Sequence, residues 1–155
     1  MEWNEIYKII LALFLGGVIG VERQYRFKAA GFRTIIIICI GTTLFSLFST
    51  RFGWGDPSRL AAGIVTGIGF LGAGAIIRNE RFISGLTTAA TIWFIAAIGI
   101  GIGLGYYALS IFSVLLILIV LIVLPYFEKL IEKFADTTTI ELEINNLSFD
   151  LSEIE

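Results

Sequence analysis

The sequence predicts an all-α membrane protein with about five transmembrane helices, and three observations carry that prediction. Of 155 residues, 57% are hydrophobic and only 15% are charged, against about 45–50% and about 25% in an ordinary soluble domain. The mean hydropathy is +0.90. The charges are bunched into short segments separated by apolar runs. Each run approaches the roughly 20 residues that a helix needs to cross about 30 Å of hydrocarbon.

The first span covers about Trp3 to Val21, with Lys8 near one end, where its stem can snorkel. Glu2 and Glu5 make the leading segment acidic, unlike a cleavable signal peptide, so this helix is expected to remain. A charged stretch follows, holding Glu22, Arg23, Arg26, Lys28 and Arg33. The second span runs about Thr34 to Thr50, and the third about Pro57 to Ile77, separated by a polar break with Gly53 and Gly55. From Ser84 to Leu124 no charge appears. As one helix that run would be about 60 Å long, twice the hydrocarbon thickness, so it must fold back. The predicted turn is Gly103 to Tyr107, giving a fourth span of about Leu86 to Leu104 and a fifth of about Ala108 to Leu124.

Five spans sort the 11 Lys and Arg residues into two sets. Arg23, Arg26, Lys28, Arg33, Arg78, Arg81, Lys129 and Lys133 fall on one side; Lys8, Arg51 and Arg59 fall on the other. The positive-inside rule makes the first side cytoplasmic, with the N-terminus outside and the C-terminus inside. Reading the last two segments as one would leave four spans and move the C-terminus across. Residues 1–125 are thus read as the transmembrane domain and 126–155 as a cytoplasmic tail. In the tail, Phe127, Leu130, Ile131 and Phe134 recur at helical spacing, which predicts a short amphipathic helix. Ile140, Leu142 and Ile144 then alternate with polar residues, which predicts one strand, and a lone strand needs a partner.

Composition also excludes. The net charge of −2 argues against a nucleic-acid partner. There is no histidine, and the one cysteine, Cys39, reads as a small buried hydrophobe. No Ser/His/Asp set, phosphate loop after a strand or acidic pair inside a span is visible, so no enzyme chemistry, cofactor or metal is expected.

The motifs carry packing first. Ala12, Gly16 and Gly20 form a small-residue row, as do Gly63 with Gly67, and Ala97, Gly101 and Gly105. Such rows let helix backbones approach in lipid. Gly67, Gly69, Gly72 and Gly74 admit a second reading, a helix unwound in mid-membrane with carbonyls offered to a cation. Asp56-Pro57-Ser58-Arg59 reads as a helix start, or as an outward acidic spot too poor in oxygen ligands for magnesium. Glu22-Arg23 closes the first span. The pair is costly there without partners, and Arg33 could supply one. It either fixes topology or contacts a protein or lipid headgroup. Thr87 and Thr88 begin the fourth span as candidate caps, and Trp93 is expected to pack deeper.

Five stretches in order, Gly16 to Gln24 (GGVIGVERQ), Ala30 to Thr34 (AGFRT), Asp56 to Ala62 (DPSRLAA), Gly67 to Gly74 (GIGFLGAG) and Gly85 to Trp93 (GLTTAATIW), resemble the MgtC/SapB family of bacterial inner-membrane proteins. The resemblance covers about the first 107 residues. It implies a polytopic membrane domain followed by a cytoplasmic domain of the ACT type, of which the tail here would be a remnant. It also implies growth under magnesium limitation, survival of pathogens in macrophages, and action on membrane partners such as the F-type ATP synthase rather than magnesium transport. On motif positions fall Glu22, Arg23, Arg33, Thr34, Asp56, Arg59, Gly67, Gly69, Gly72, Gly74, Thr87, Thr88 and Trp93. One departure is Gly63, where the family usually has glutamine after the paired alanines. The leading expectation is therefore a regulatory membrane protein that binds other membrane proteins through glycine-rich faces and the basic loop. The alternative is a small ion transporter or channel, as an oligomer, with the third span as pathway.

Overall fold

Among the described residues of the computed structural model, five helices follow one another: α1 (Glu2–Tyr25), α2 (Phe32–Arg51), α3 (Pro57–Gly74), α4 (Leu86–Leu104) and α5 (Tyr107–Leu151). The structure describes residues 2–51, 57–78 and 83–151, with side chains for 3–51, 58–77 and 83–134. Trp3–Tyr25, Phe32–Arg51, Leu86–Leu104 and Tyr107–Phe134 are long and apolar enough to cross a membrane, and Ser58–Gly74 is apolar but shorter. The protein is an all-α membrane protein. The chain divides into two compact units, Met1–Leu115 and Leu116–Glu155.

The first unit is a bundle centred on α2, which packs against α1, α4 and, more lightly, α3; α3 packs mainly on α4. Its side chains are distributed unlike those of a water-soluble domain, with hydroxyl groups inside among the isoleucines and large aromatics outside. Thr42, Thr43, Ser46, Thr88, Thr91 and Ser110 are buried, whereas Phe14, Phe45, Phe70 and Phe112 are exposed. A surface this apolar suits hydrocarbon, and the polar groups turn inward because lipid offers them no partner.

Close approach of backbones holds the unit together. A Cβ on Gly16 would stand 3.0 Å from Cys39 Cβ, and one on Gly20 only 2.9 Å from the Phe32 carbonyl oxygen. The row that starts at Ala12, itself fully buried, is therefore the α1–α2 seam. On the other face of α2, a Cβ on Gly103 would lie 2.9 Å from the Thr43 carbonyl oxygen. There the Thr43 hydroxyl lies 3.0 Å from the Gly99 carbonyl oxygen, and Ser46 donates to the Ile100 carbonyl at 3.2 Å. Small residues bring the chains near enough for hydroxyl-to-backbone bonds, which replace the hydrophobic force that lipid cannot provide.

The turns follow from local chemistry. α4 ends at Leu104 as expected; Gly105 adopts a left-handed φ of 93°. Tyr106 N–H then bonds the Gly101 carbonyl at 2.9 Å, satisfying a carbonyl the helix end leaves open. The start of α4 corrects the sequence reading. Thr87 and Thr88 do not cap it: Gly85 does, at φ 90° with no side-chain cap, in a position where a Cβ would strike the Ala75 carbonyl. Between α3 and α4 the backbone forms a two-residue antiparallel ladder, Ile77 opposite Ser84 and Arg78 opposite Ile83.

Two further expectations are corrected. α3 is a continuous helix from Pro57 to Gly74, so Gly67, Gly69 and Gly72 leave it wound and its carbonyls bonded within it. Residues 139–145 are helical, within a 45-residue α5 that runs through Pro125. Alternation alone cannot make a strand without a neighbouring strand to accept its backbone bonds, whereas a helix satisfies them internally.

Replacing Gly103 by Val should destabilise the fold by about 1–3 kcal/mol through overpacking against α2. Gly67→Val, on α3, should change stability by less than about 0.5 kcal/mol, the range of substitutions that touch nothing buried. Thermal unfolding in detergent measures both.

Candidate functional site

The two ends of the first unit differ in how their charges are used. At one end α1 begins and α2 and α4 finish. Glu5 pairs with Arg51 at 2.9 Å, Lys8 donates to the Gly103 carbonyl at 2.7 Å, and Tyr107 Oη lies 3.4 Å from Asn4 Oδ1. Tyr7 meets Tyr107 edge to face, with ring centroids 5.7 Å apart. Lys8 is thus a helix-capping donor across the bundle rather than a snorkelling side chain. Every one of these charges is absorbed by the fold.

At the opposite end α1 finishes and α2 begins. Arg23 is almost wholly buried and donates through Nε and Nη2 to the two Glu22 oxygens, the latter bond 2.8 Å long. Arg26 Nε pairs with the same carboxylate at 2.8 Å, one turn further on. The expected partner Arg33 is not used. A residue one helical turn away reaches Glu22 with no loop to bridge, whereas Arg33 stands beyond the turn, exposed at the start of α2. Arg23 Nη1 is buried without a hydrogen-bond acceptor. An ion pair so placed is costly unless nearly all its donors are met, and Glu22 serving two arginines meets most of them.

The turn between these helices is tightly specified. Lys28 N–H bonds the Arg23 carbonyl at 3.0 Å, and Phe27 takes a left-handed φ of 52°. Gln24 Oε1 accepts from Phe32 N–H at 3.3 Å, so its side chain caps α2 from the preceding helix. A groove of about 930 Å³ opens beside this turn, lined by Gln24, Tyr25, Lys28, Phe32, Arg33 and Thr34 among others. Among the described residues, no ion pair engages Lys28 or Arg33.

The third feature is α3. A Cβ on Gly63, Gly67, Gly69 or Gly74 would meet nothing within 4 Å, while one on Gly72 would touch Ala89 at 3.6 Å. Among the described residues, Gly72 is therefore the α3 glycine that packs against the rest of the bundle. Arg59, Gly63 and Gly67 line a groove of about 380 Å³ against Thr42 and Phe45 of α2. Asp56 lies outside the described residues. Thr88 is buried, Thr87 accepts the Thr91 hydroxyl at its carbonyl (2.7 Å), and Trp93 is about half exposed rather than packed deep. It faces outward because the buried stripe of α4 runs through Thr88, Thr91, Ile92 and Ile95. Among the described residues no three His, Cys, Asp or Glu side chains converge on a metal position.

Sequence reasoning missed the hydroxyl rungs of Thr42, Thr43 and Ser46. Their signal was present, three small hydroxyl residues within five positions of an otherwise apolar span. It was unreadable without the α4 carbonyls that Thr43 and Ser46 meet, while Thr42 bonds back to the Ile38 carbonyl within α2.

Removing the Glu22 carboxylate (Glu22→Ala) should cost roughly 3–5 kcal/mol, because it leaves Arg23 charged and buried without a counterion. Glu5→Ala at the exposed pair should cost less than about 1 kcal/mol. Chemical unfolding of the two variants in the same detergent checks the difference.

Comparison with known proteins assigns the family. The chain is 47% identical over 135 residues to YhiD of Escherichia coli K12, named as a candidate magnesium transporter, covering 81% of this chain and 61% of that protein. It is 43% identical over 112 residues to MgtC of Salmonella typhimurium, covering 72% of this chain and 48% of that protein. The chain thus spans about half to three-fifths of the length of these relatives. No solved structure gives a significant match. The family model described as the MgtC family matches residues 9–130, most of the helical region, and the chain belongs to that family.

Proposed function

We propose that this chain is a regulatory protein of the bacterial inner membrane, not an enzyme, that works by binding other membrane proteins. The observation that carries the reading is the open glycine face of α3. The glycines of α1 and α4 are consumed in packing, yet Gly63, Gly67 and Gly74 share one side of a continuous helix, and among the described residues a Cβ on any of them would meet nothing within 4 Å. In lipid, such a face is the surface another helix can approach most closely. The basic turn before α2 supplies a second, cytoplasmic contact. Membership in the family, and the names of its relatives, support a link to adaptation under low magnesium. By the same family reading, a pathogen's copy would support survival in macrophages, with the F-type ATP synthase among the partners.

The alternative, a small ion transporter or channel with α3 as pathway, has the name of YhiD in its favour. Against it stand the unbroken α3 and the lack of any acidic residue from Pro57 to Gly74. A partner-binding protein should be recovered from native membranes with a defined partner, and Gly67→Leu should lose that partner without unfolding. Purified protein in liposomes should pass no Mg²⁺; a flux abolished by Gly69→Leu would establish the transporter instead.

The orientation is part of the proposal: the Lys28 turn inside, the Arg51 end outside. In a Cys39→Ala background, Lys28→Cys in intact spheroplasts should resist a membrane-impermeant thiol reagent and react once the membrane is opened. Labelling of Lys28→Cys from outside would invert the topology.

A further inference from the structure

We propose that the basic turn between α1 and α2 holds the headgroup of an anionic phospholipid, whose acyl chain lies in the groove between α2 and α3. Charge accounting gives the first half of the argument. Four cations, Arg23, Arg26, Lys28 and Arg33, lie within 11 residues, and the single carboxylate of Glu22 is shared between the first two, offsetting one of the four charges. Lys28 and Arg33 are exposed, engage no carboxylate among the described residues, and line one groove together. At the other end of the bundle Arg51 is paired with Glu5 and Lys8 is spent on a backbone carbonyl. Among the described residues, this turn is where two cations without an ion pair line one groove together.

Its position supplies the second half. The groove lies where the apolar span of α1 ends at Tyr25 and that of α2 begins at Phe32, the level at which a bilayer places its phosphates. Tyr25 and Phe27 stand 82% and 92% exposed there, as interfacial aromatics do. Ala29 and Thr34 also line a second groove of about 610 Å³, whose walls are Ile37 and Ile38 of α2 with Phe70 and Leu71 of α3. One opening is cationic and the next is apolar, and they share a wall. A free phosphate or an acidic peptide would use only the first; a phospholipid fills both.

The test uses the full chain, delipidated in non-ionic detergent, with retained ligand read by native mass spectrometry. The probes are dioleoylphosphatidylglycerol, dioleoylphosphatidylcholine, glycerol 3-phosphate and inorganic phosphate. Phosphatidylglycerol is expected to bind roughly 30-fold more tightly than phosphatidylcholine, from two cations each contributing about a fivefold gain in headgroup attraction. The double variant Lys28→Ala, Arg33→Ala should erase that preference, the charge-keeping pair Lys28→Arg, Arg33→Lys should retain it, and Lys129→Ala should leave it unchanged. Ala29→Trp, which blocks the shared wall and keeps both cations, should weaken phosphatidylglycerol binding severalfold. The proposal is overturned by equal retention of the two lipids, by a preference that survives the double alanine variant, or by glycerol 3-phosphate binding as tightly as phosphatidylglycerol.

Discussion

Everything in the first unit depends on how closely α2 is allowed to approach its two neighbours. In water, burial of leucine and isoleucine would drive the association; in hydrocarbon those side chains are as comfortable outside as in. What remains is dispersion between backbones and hydrogen bonds too costly to leave unmade. Gly16 and Gly20 supply the approach on the α1 side, and Gly99 and Gly103 on the α4 side. Thr43 and Ser46 then bridge α2 to α4 through main-chain carbonyls. A hydroxyl that bonds a carbonyl needs no second side chain, so the rung survives small slippage of the helices. That suits the inward-facing hydroxyls of Thr43 and Ser46 on α2.

This constraint also sorts the glycines. Spacing by four residues reads the same in Gly16/Gly20 and in Gly63/Gly67, yet the first row is filled and the second is bare. The sequence marks a row where a helix could be approached; it does not say whether the approaching helix belongs to the same chain. Helix existence and the turn at Gly103–Tyr107 were readable because they rest on local chemistry, a run too long to span once and a glycine able to take a left-handed φ. The partners of Glu22, the capping role of Gln24 and the outward face of Trp93 were not. Each depends on which side of a helix another helix covers. The misread strand at 139–145 is a related case, where a period of two had no neighbouring edge to express it.

The candidate site inherits its rigidity from the same packing. Gly20 lets α1 lie against the first residue of α2, so the connection between them can be as short as Arg26 to Gly31. Gln24 caps α2, Glu22 ties Arg26 back to α1, and Phe27 accepts a left-handed conformation that closes the turn. A loop held at so many points loses little further entropy when something binds it. The backbone that carries Lys28 and Arg33 is thus held in place beside the groove.

The buried Glu22–Arg23 pair explains why the turn at this end keeps charge to spare. A lone arginine at 2% exposure would be intolerable beside hydrocarbon, so the carboxylate must stay with it. Each Glu22 oxygen is then committed to the guanidinium of Arg23, and one also to Arg26. Its one negative charge is thus already shared by two arginines before any cation further along the turn. At the opposite end Glu5 has no buried arginine to serve, so it is free to neutralise Arg51 at the surface. The charge asymmetry between the two ends therefore follows from where the arginine is buried as much as from the number of basic residues. An asymmetry built into the packing would persist whatever surrounds the bundle.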